Sequence, residues 1–409
     1  MAGKSSTTVD AIDQMFDALV KSRFNEMFGD PYTTPRYESI PFLDCMIFNP
    51  SKSEVKALSD ETDVSFVPME CVSISGEMDS SSIRKLGEVR KGYTYFREGD
   101  VVFAKITPCF ENGKVAIASN CVGGIAFGTT EFHVVRAIEN ISNPIWLKEL
   151  LKSDTLRNLA SSNMSGTAGQ KRVQKPFFDK LKIGLPPIEL QNQFADFVRQ
   201  VDKSKFLFKQ LVSRYDELVK SRFNEMFDSC EEKITIHDSC SLHARIGWQA
   251  LTKDEHMQFG EYMLITGTDF QDGYIDYSTC KYISKERYEM DPNIQIRNDD
   301  VLVTKDGSIG KVAIVKNLKH PATLNAGVFV VRPKMDDLMP EFLAQCLKSK
   351  NFELFIERVK RGATISHLNQ GVFFKFEIPK PPISDQILFV DFVRQVDKSK
   401  FIVSHSKRI

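Results

Sequence analysis

LVKSRFNEMF occurs at Leu19–Phe28 and again, letter for letter, at Leu218–Phe227. A chain of mixed composition does not repeat such a run by chance, so the segment is duplicated. A second echo follows: FADFVRQVDKSKF at Phe194–Phe206 returns as FVDFVRQVDKSKF at Phe389–Phe401, with only Ala195 exchanged for Val390. Upstream, LPPIELQNQF (Leu185–Phe194) answers KPPISDQILF (Lys380–Phe389). Pro-Pro before a long polar-apolar run marks a helix start, because proline's fixed φ suits the first turn and its missing N–H is not needed there.

From Leu190 onward, apolar side chains fall at Leu190, Phe194, Phe197, Val201, Phe208, Leu211, Tyr215 and Leu218. Alternating steps of four and three keep one helix face apolar. The spacing predicts a helix over 188–227, about 60 Å long at a rise of about 1.5 Å per residue, with a seam that needs a partner helix. Ile12, Phe16 and Leu19 continue the pattern and align with Leu211, Tyr215 and Leu218, so residues 6–28 copy the second half of this helix. Residues 384–401 copy its first half. The chain ends read as one helix cut in the middle, packed antiparallel on the central one, with the termini close together.

Two blocks lie between the helices, 29–186 and 229–382, and they echo each other more faintly. EGDVVFAKITPCFENGKVAIA (Glu98–Ala118) answers NDDVLVTKDGSIGKVAIV (Asn298–Val315), matching Asp100, Lys105, Gly113 and Lys114 to Asp300, Lys305, Gly310 and Lys311. HVVRA at His133 answers FVVRP at Phe329, and SGTAGQKRVQKPFFDKLKIGLPP from Ser165 answers RGATISHLNQGVFFKFEIPKPP from Arg361. Short β-branched runs between Gly, Asn and Pro predict strands and hairpins, so each block is an α+β domain. Helices kept nearly identical do one job twice. Blocks that drifted apart do two related but different jobs.

The 409 residues are too many for one ordinary core. With 54 Lys+Arg against 54 Asp+Glu, no net field draws the whole molecule onto a polyanion. That argues against a non-specific nucleic-acid coat and leaves a local basic cleft open. The eight cysteines form no CxxC pair, so free thiols in a reducing cytoplasm are expected. MAGKSSTTVDAIDQMF lacks the apolar run of a signal peptide, and no stretch approaches the roughly 18–20 apolar residues of a membrane helix.

The catalytic motifs tested against the sequence do not match. NPIW at Asn143 lacks the second proline of the loop that holds a flipped base in amino-methyltransferases. TKDGSIGKV at Thr304 sets Gly307 and Gly310 too close, and puts Val312 where a phosphate loop has its hydroxyl, so it reads as a hairpin turn. The histidines show no i,i+4 pair, and no Pro-Asp is present to open a Mg²⁺-nuclease motif. The expectation is no catalytic residue and no metal ligand.

LVKSRFNEMFGDP after Leu19, the two Pro-Pro block ends, YFREGDVVFAKITPCFENGK (Tyr95–Lys114), and IGWQALTKDEH with LITGTDFQDGYID (within 246–276) followed by DDVLVTKDGSIGK come in a telling order. Together they resemble the specificity (S) subunits of type I restriction-modification systems across essentially the whole chain. The resemblance implies an α+β fold: two globular target-recognition domains separated by a pair of long antiparallel coiled-coil-like helices, with a pseudo-two-fold internal repeat and circularly arranged ends. It divides the chain into the N-terminal half of the distal helix (1–28), a first recognition domain (29–186), a central spacer helix (187–228), a second recognition domain (229–382) and the C-terminal half of the distal helix (383–409). Each domain is then expected to read one half of a bipartite, asymmetric site on double-stranded DNA. The helices are expected to set the spacer and dock two methyltransferase (modification) subunits, with motor-nuclease (restriction) subunits joining. The resemblance further implies a cytoplasmic, non-catalytic subunit without membrane contact. It carries no cofactor of its own, since S-adenosylmethionine, ATP and Mg²⁺ belong to the partners.

Phosphate contacts need Lys or Arg, and base edges need forked or planar groups on loops. The candidates are Arg84, Lys85, Arg90, Lys91, Lys105, Gln170, Lys171 and Arg172 in the first block. In the second they are Lys305, Ser308, Arg361, Thr364, Ser366 and His367. A solvated surface group is the alternative for each. Lys114 and Lys311 read as strand-edge charges, and Trp146 and Trp248 as packing residues. The other functional classes left open are an autonomous methyltransferase or nuclease with diverged motifs, and a coiled-coil adaptor that binds only proteins.

Overall fold

The computed structural model describes residues 8–167, 169–247, 251–361 and 367–405. The chain forms two compact units: residues 13–206, and residues 207–409 together with the start of the chain up to Ile12. The long helices are Thr8–Phe28, Ile188–Phe227 and Ile383–His405, the central one uninterrupted over 40 residues. In the unit of residues 13–206, Phe24 and Phe28, at the end of the first helix, pack edge-on against Phe194 near the start of the central helix, at 5.5 and 5.4 Å between ring centroids. Further along the central helix, Lys205 lies 2.9 Å from Asp13 and 3.5 Å from Asp17. End meets start, so the pair is antiparallel.

The second unit repeats this packing. Phe223 and Phe227 meet Phe389 at 5.6 and 5.4 Å, and Lys400 pairs with Asp216. Each half of the central helix thus packs on a copy of its other half. Each buried phenylalanine contributes about 1.5–3 kcal/mol, and the edge-to-face geometry adds about 0.5–1.5 kcal/mol per pair. Val9, near the start of the first helix, lines the same cleft as Asp397 and Lys400 of the last.

The apolar face keeps the expected seam at Ile12, Phe16, Phe194 and Val201, all buried, and departs from it in phase further along. Leu19 and Leu218 are 46% and 47% exposed and Leu211 is also exposed. From Ile12 and Phe16 the buried stripe continues through Val20, Phe24 and Phe28 in one copy, and it runs through Val212, Phe223 and Phe227 in the other. Steps of four turn the stripe toward the adjoining globular domain, where Phe28 meets Trp146 and Phe227 meets Phe342. These helices pack on a helix and a domain at once. A heptad count detects only the first of the two.

The first globular domain contains β1 (Met46–Phe48), β2 (Asp63–Val67), β3 (Ile83–Lys85), β4 (Thr94–Arg97), β5 (Val101–Ala104), β6 (Val115–Ile117), β7 (Ile125–Gly128) and β8 (Phe132–Ala137). They form two sheets, β3-β2-β7-β4 and β1-β8-β5-β6. The second domain contains β9 (Cys240–Ala244), β10 (Tyr262–Ile265), β11 (Lys281–Ile283), β12 (Gln295–Ile296), β13 (Val301–Thr304), β14 (Val312–Ile314), β15 (Ala322–Leu324) and β16 (Val328–Pro333). Its sheets are β11-β10-β15-β12 and β9-β16-β13-β14, the same order strand for strand. The parallel pairing recurs as well, β2 with β7 and β10 with β15. The hairpin expected at Thr304 is β13–β14.

Buried polar groups explain several of the residues retained between the blocks. Arg136 Nε and Nη2 donate to Asp100 at 2.6 and 2.8 Å, and Arg332 repeats both bonds to Asp300 at 2.6 and 2.7 Å. Gln191 and Gln386 are fully buried and tie each long helix to its domain. Gln191 Oε1 accepts from Asn143 N, and its amide donates to Ile141 O and Pro186 O. Gln386 does the same with Met339 N, Asp337 O and Pro381 O. Gly113 and Gly310 both adopt positive φ (70° and 87°) in the turns before β6 and β14, where a side chain would run into Arg157 or Ile356. No described helix is long and apolar enough to cross a membrane.

Candidate nucleic-acid interface

In each domain two loops meet beside a lysine, held by the same pair of backbone bonds. Lys105 N donates to Glu131 O and Lys105 O accepts from Val173 N, both at 2.9 Å. Lys305 N donates to Gly327 O at 2.8 Å and Lys305 O accepts from Leu368 N at 2.9 Å. Those bonds bring the turn after β5 against Val173, which follows the 169–172 segment, and the turn after β13 against Leu368. The two segments lie far apart in sequence and side by side in the fold.

In the first domain the loops are further stitched. Thr107 N donates to Lys171 O at 2.9 Å, Lys171 N to Thr107 Oγ1 at 3.1 Å, and Thr107 Oγ1 to Gly169 O at 3.2 Å. Ser165 and Arg172 exchange backbone bonds across the loop neck. Lys105, Gln170, Lys171 and Arg172 are therefore brought together. Their freedom differs. Arg172 forks onto Glu131, with Nε 2.9 Å from Oε2 and Nη2 2.8 Å from Oε1, and its Nη1 donates to Gln170 O at 3.1 Å. The guanidinium holds the Glu131 carboxyl below the usual carboxylate range. Gln170 and Lys171 are exposed, and no side-chain partner meets either among the described residues.

Arg84, Lys85, Arg90 and Lys91 form a separate group on and after β3. Arg84 is exposed, its Cζ 4.1 Å from the Phe66 ring centroid. Lys85 lies 2.9 Å from Asp63 and donates to Glu61 O at 3.0 Å. Arg90 donates to Leu58 O at 2.7 Å, to Val55 O at 3.1 Å and to Asp60 at 3.1 Å, which fixes the 55–60 loop. Lys91 is exposed.

In the second domain, His367 pairs with Asp306, and Lys305 sits 3.4 Å from Asp306 and 5.7 Å from the Phe329 ring centroid. Ser308 is exposed on the same turn. Arg361 is 83% exposed and only loosely paired with Glu357 at 3.6 Å. Thr364, Ser366 and Trp248 lie outside the described residues. Trp146 is a packing residue, fully buried. The anchors that sequence reasoning missed are Thr107, Glu131 and Asp306. Nothing in their spacing announces which group each one holds.

Away from these loops the repeated helices line a cleft in each unit, about 580 Å³ in residues 13–206 and about 900 Å³ in the other. Asp17, Lys21, Phe24 and Asn25 line one. Their copies Asp216, Lys220, Phe223 and Asn224 line the other. Among the described residues no three His, Cys, Asp or Glu side chains converge as a metal set.

The family model for the type I restriction modification DNA specificity domain matches residues 47–212 and 232–409, once per globular domain. This chain belongs to that specificity family. Among curated members it is 37% identical over 209 residues to the type I restriction enzyme EcoEI specificity subunit of Escherichia coli, covering 49% of this chain and 34% of that protein. It is 42% identical over 168 residues to the EcoAI specificity subunit of the same organism, covering 40% of this chain and 26% of that one. A solved structure, described as the structural basis of complex assembly and conformational transition of the type I R-M system, shares the fold. Its TM-score is 0.57 at 18% identity, over 92% of this chain and 94% of that one. In this specificity-family chain, the paired matches fall on the two domains that the strand order already equates.

Proposed function

We propose that the chain is the DNA sequence-specificity subunit of a type I restriction-modification complex. Each globular domain reads one half of a split, asymmetric site on double-stranded DNA. The carrying observation is a pair of domains identical in strand order whose meeting loops hold different side chains: Gln170, Lys171 and the Arg172–Glu131 fork in one, His367–Asp306 and Ser308 in the other. A common scaffold with unlike loop chemistry suits two unlike half-sites. Lys171, Gln170, Arg84, Lys91 and Arg361 are exposed and able to reach DNA, while Arg172, Arg90 and Lys85 position the loops.

The chain itself is non-catalytic in this reading, and S-adenosylmethionine, ATP and Mg²⁺ act on partner subunits. Two modification subunits dock on the repeated helices, which set the unread spacer, and restriction subunits join them. The clefts lined by Asp17, Lys21 and Asn25 and by Asp216, Lys220 and Asn224 support a partner bound twice in the same way. Purified chain incubated with duplex DNA, S-adenosylmethionine and Mg²⁺ should transfer no methyl group. Adding the modification subunits should produce methylation at one split motif. Turnover by the chain alone would instead favour an autonomous enzyme, and assembly without any DNA preference would favour a protein-only adaptor.

A further inference from the structure

Phe259 is 88% exposed, whereas the next most exposed large apolar side chain among the described residues, Phe206, is at 59%. Its backbone is held from both sides. Met257 and Tyr282 exchange backbone hydrogen bonds at 2.8 and 3.0 Å, and Lys281 Nζ donates to Gln258 Oε1 at 2.7 Å. Gly260 lies against Tyr282, where an added Cβ would come within 2.9 Å of the tyrosine Cβ. The ring is therefore presented from a fixed turn. A phenyl ring held in water on a braced turn is available for an apolar contact with a partner.

Strand register gives the equivalent place in the first domain. Val67 pairs with Gly128 and Ile265 with Leu324, so counting back along β2 and β10 sets Glu61 against Phe259. The Glu61 turn adjoins β3, where Lys85 donates to Glu61 O at 3.0 Å and Arg84 is exposed. Surfaces that meet a partner present twice stay alike between copies, as Lys21 and Lys220 do. Surfaces that meet two unlike half-sites diverge, and glutamate against phenylalanine is such a divergence. We infer that Phe259 is a specificity-determining residue of the second domain, making an apolar contact to the base stack of the second half-site. This rests on the DNA-specificity reading above and adds a base-contacting residue to it.

The test uses the full chain co-purified with its modification subunits, and a labelled duplex carrying the methylated motif found by sequencing. F259A should weaken binding at least tenfold and erode the preference over a duplex altered only in the second half-site. The slope of log affinity against log salt should not change, because a phenyl ring displaces no counterions. F259W should retain most of the affinity, and the melting temperature of F259A should match wild type. Binding by F259A within twofold of wild type, with the same second-half preference, overturns the inference. So does a variant that assembles poorly with the modification subunits yet, once assembled, binds DNA normally, since that assigns the ring to a protein contact. A wild-type complex without sequence preference fails before any variant is made, and overturns the specificity reading itself.

Discussion

Lys171 and Arg172 are neighbours with opposite assignments. Lys171 extends into solvent while Arg172 is clamped by Glu131. Replacing Lys171 with alanine should lower DNA affinity across all sequences and reduce the salt slope by about one, as loss of a phosphate contact does. Replacing Arg172 should instead loosen the 165–172 loop, visible as faster amide exchange there. Equal salt slopes for K171A and wild type would remove Lys171 from the interface. His133 provides a second residue-scale test. Its ring packs among Phe48, Phe103 and Phe178, with Nε2 3.0 Å from Val173 O and Nδ1 3.3 Å from Asn49 Nδ2. Burial pushes its pKa down to about 4. The folded imidazole therefore stays neutral where the unfolded one, with a pKa near 6.5, binds a proton. Stability contributed at neutral pH is lost as pH falls from about 6.5 to about 4, by up to about 3 kcal/mol. Urea melts of wild type and H133F, which installs the residue the repeat uses at Phe329, should show this pH dependence shrink in the variant. The sequence displays the cations but not their braces, because Glu131 stands 41 residues from Arg172 and the pairing exists only once the loops meet.

At the scale of elements, Gln191 and Gln386 anchor the central and C-terminal helices through the same three bonds. Each alanine substitution removes the partner of one N–H and two carbonyls at a buried amide, and should cost about 2–4 kcal/mol. Amide exchange should place the damage in residues 13–206 for Q191A and in the second unit for Q386A. The helix phase is tested by a contrasting pair. F223A should cost about 3–5 kcal/mol, while L218A should stay within about 0.5 kcal/mol, since Leu218 is 47% exposed. The helix limits were legible because Pro-Pro and the periodic apolar residues mark them locally. The phase was not, because the stripe also serves the domains, through Trp146 and Phe342, which no heptad count includes.

At the scale of the whole molecule, the duplication was readable from identical letters, and strand order extends it into blocks whose sequences have drifted apart. What survives drift there is the frame: Arg136–Asp100 and Arg332–Asp300, the paired glutamines, and the glycines of the two turns. Loop side chains have changed, as two different reading tasks would require. The direct measurement is methylome sequencing of cells carrying this chain, compared with cells in which residues 229–382 are replaced by another recognition domain. A split motif in which one half changes and the other half persists is the predicted result. A change in both halves, in neither, or an unsplit motif would contradict the division of labour between the two domains.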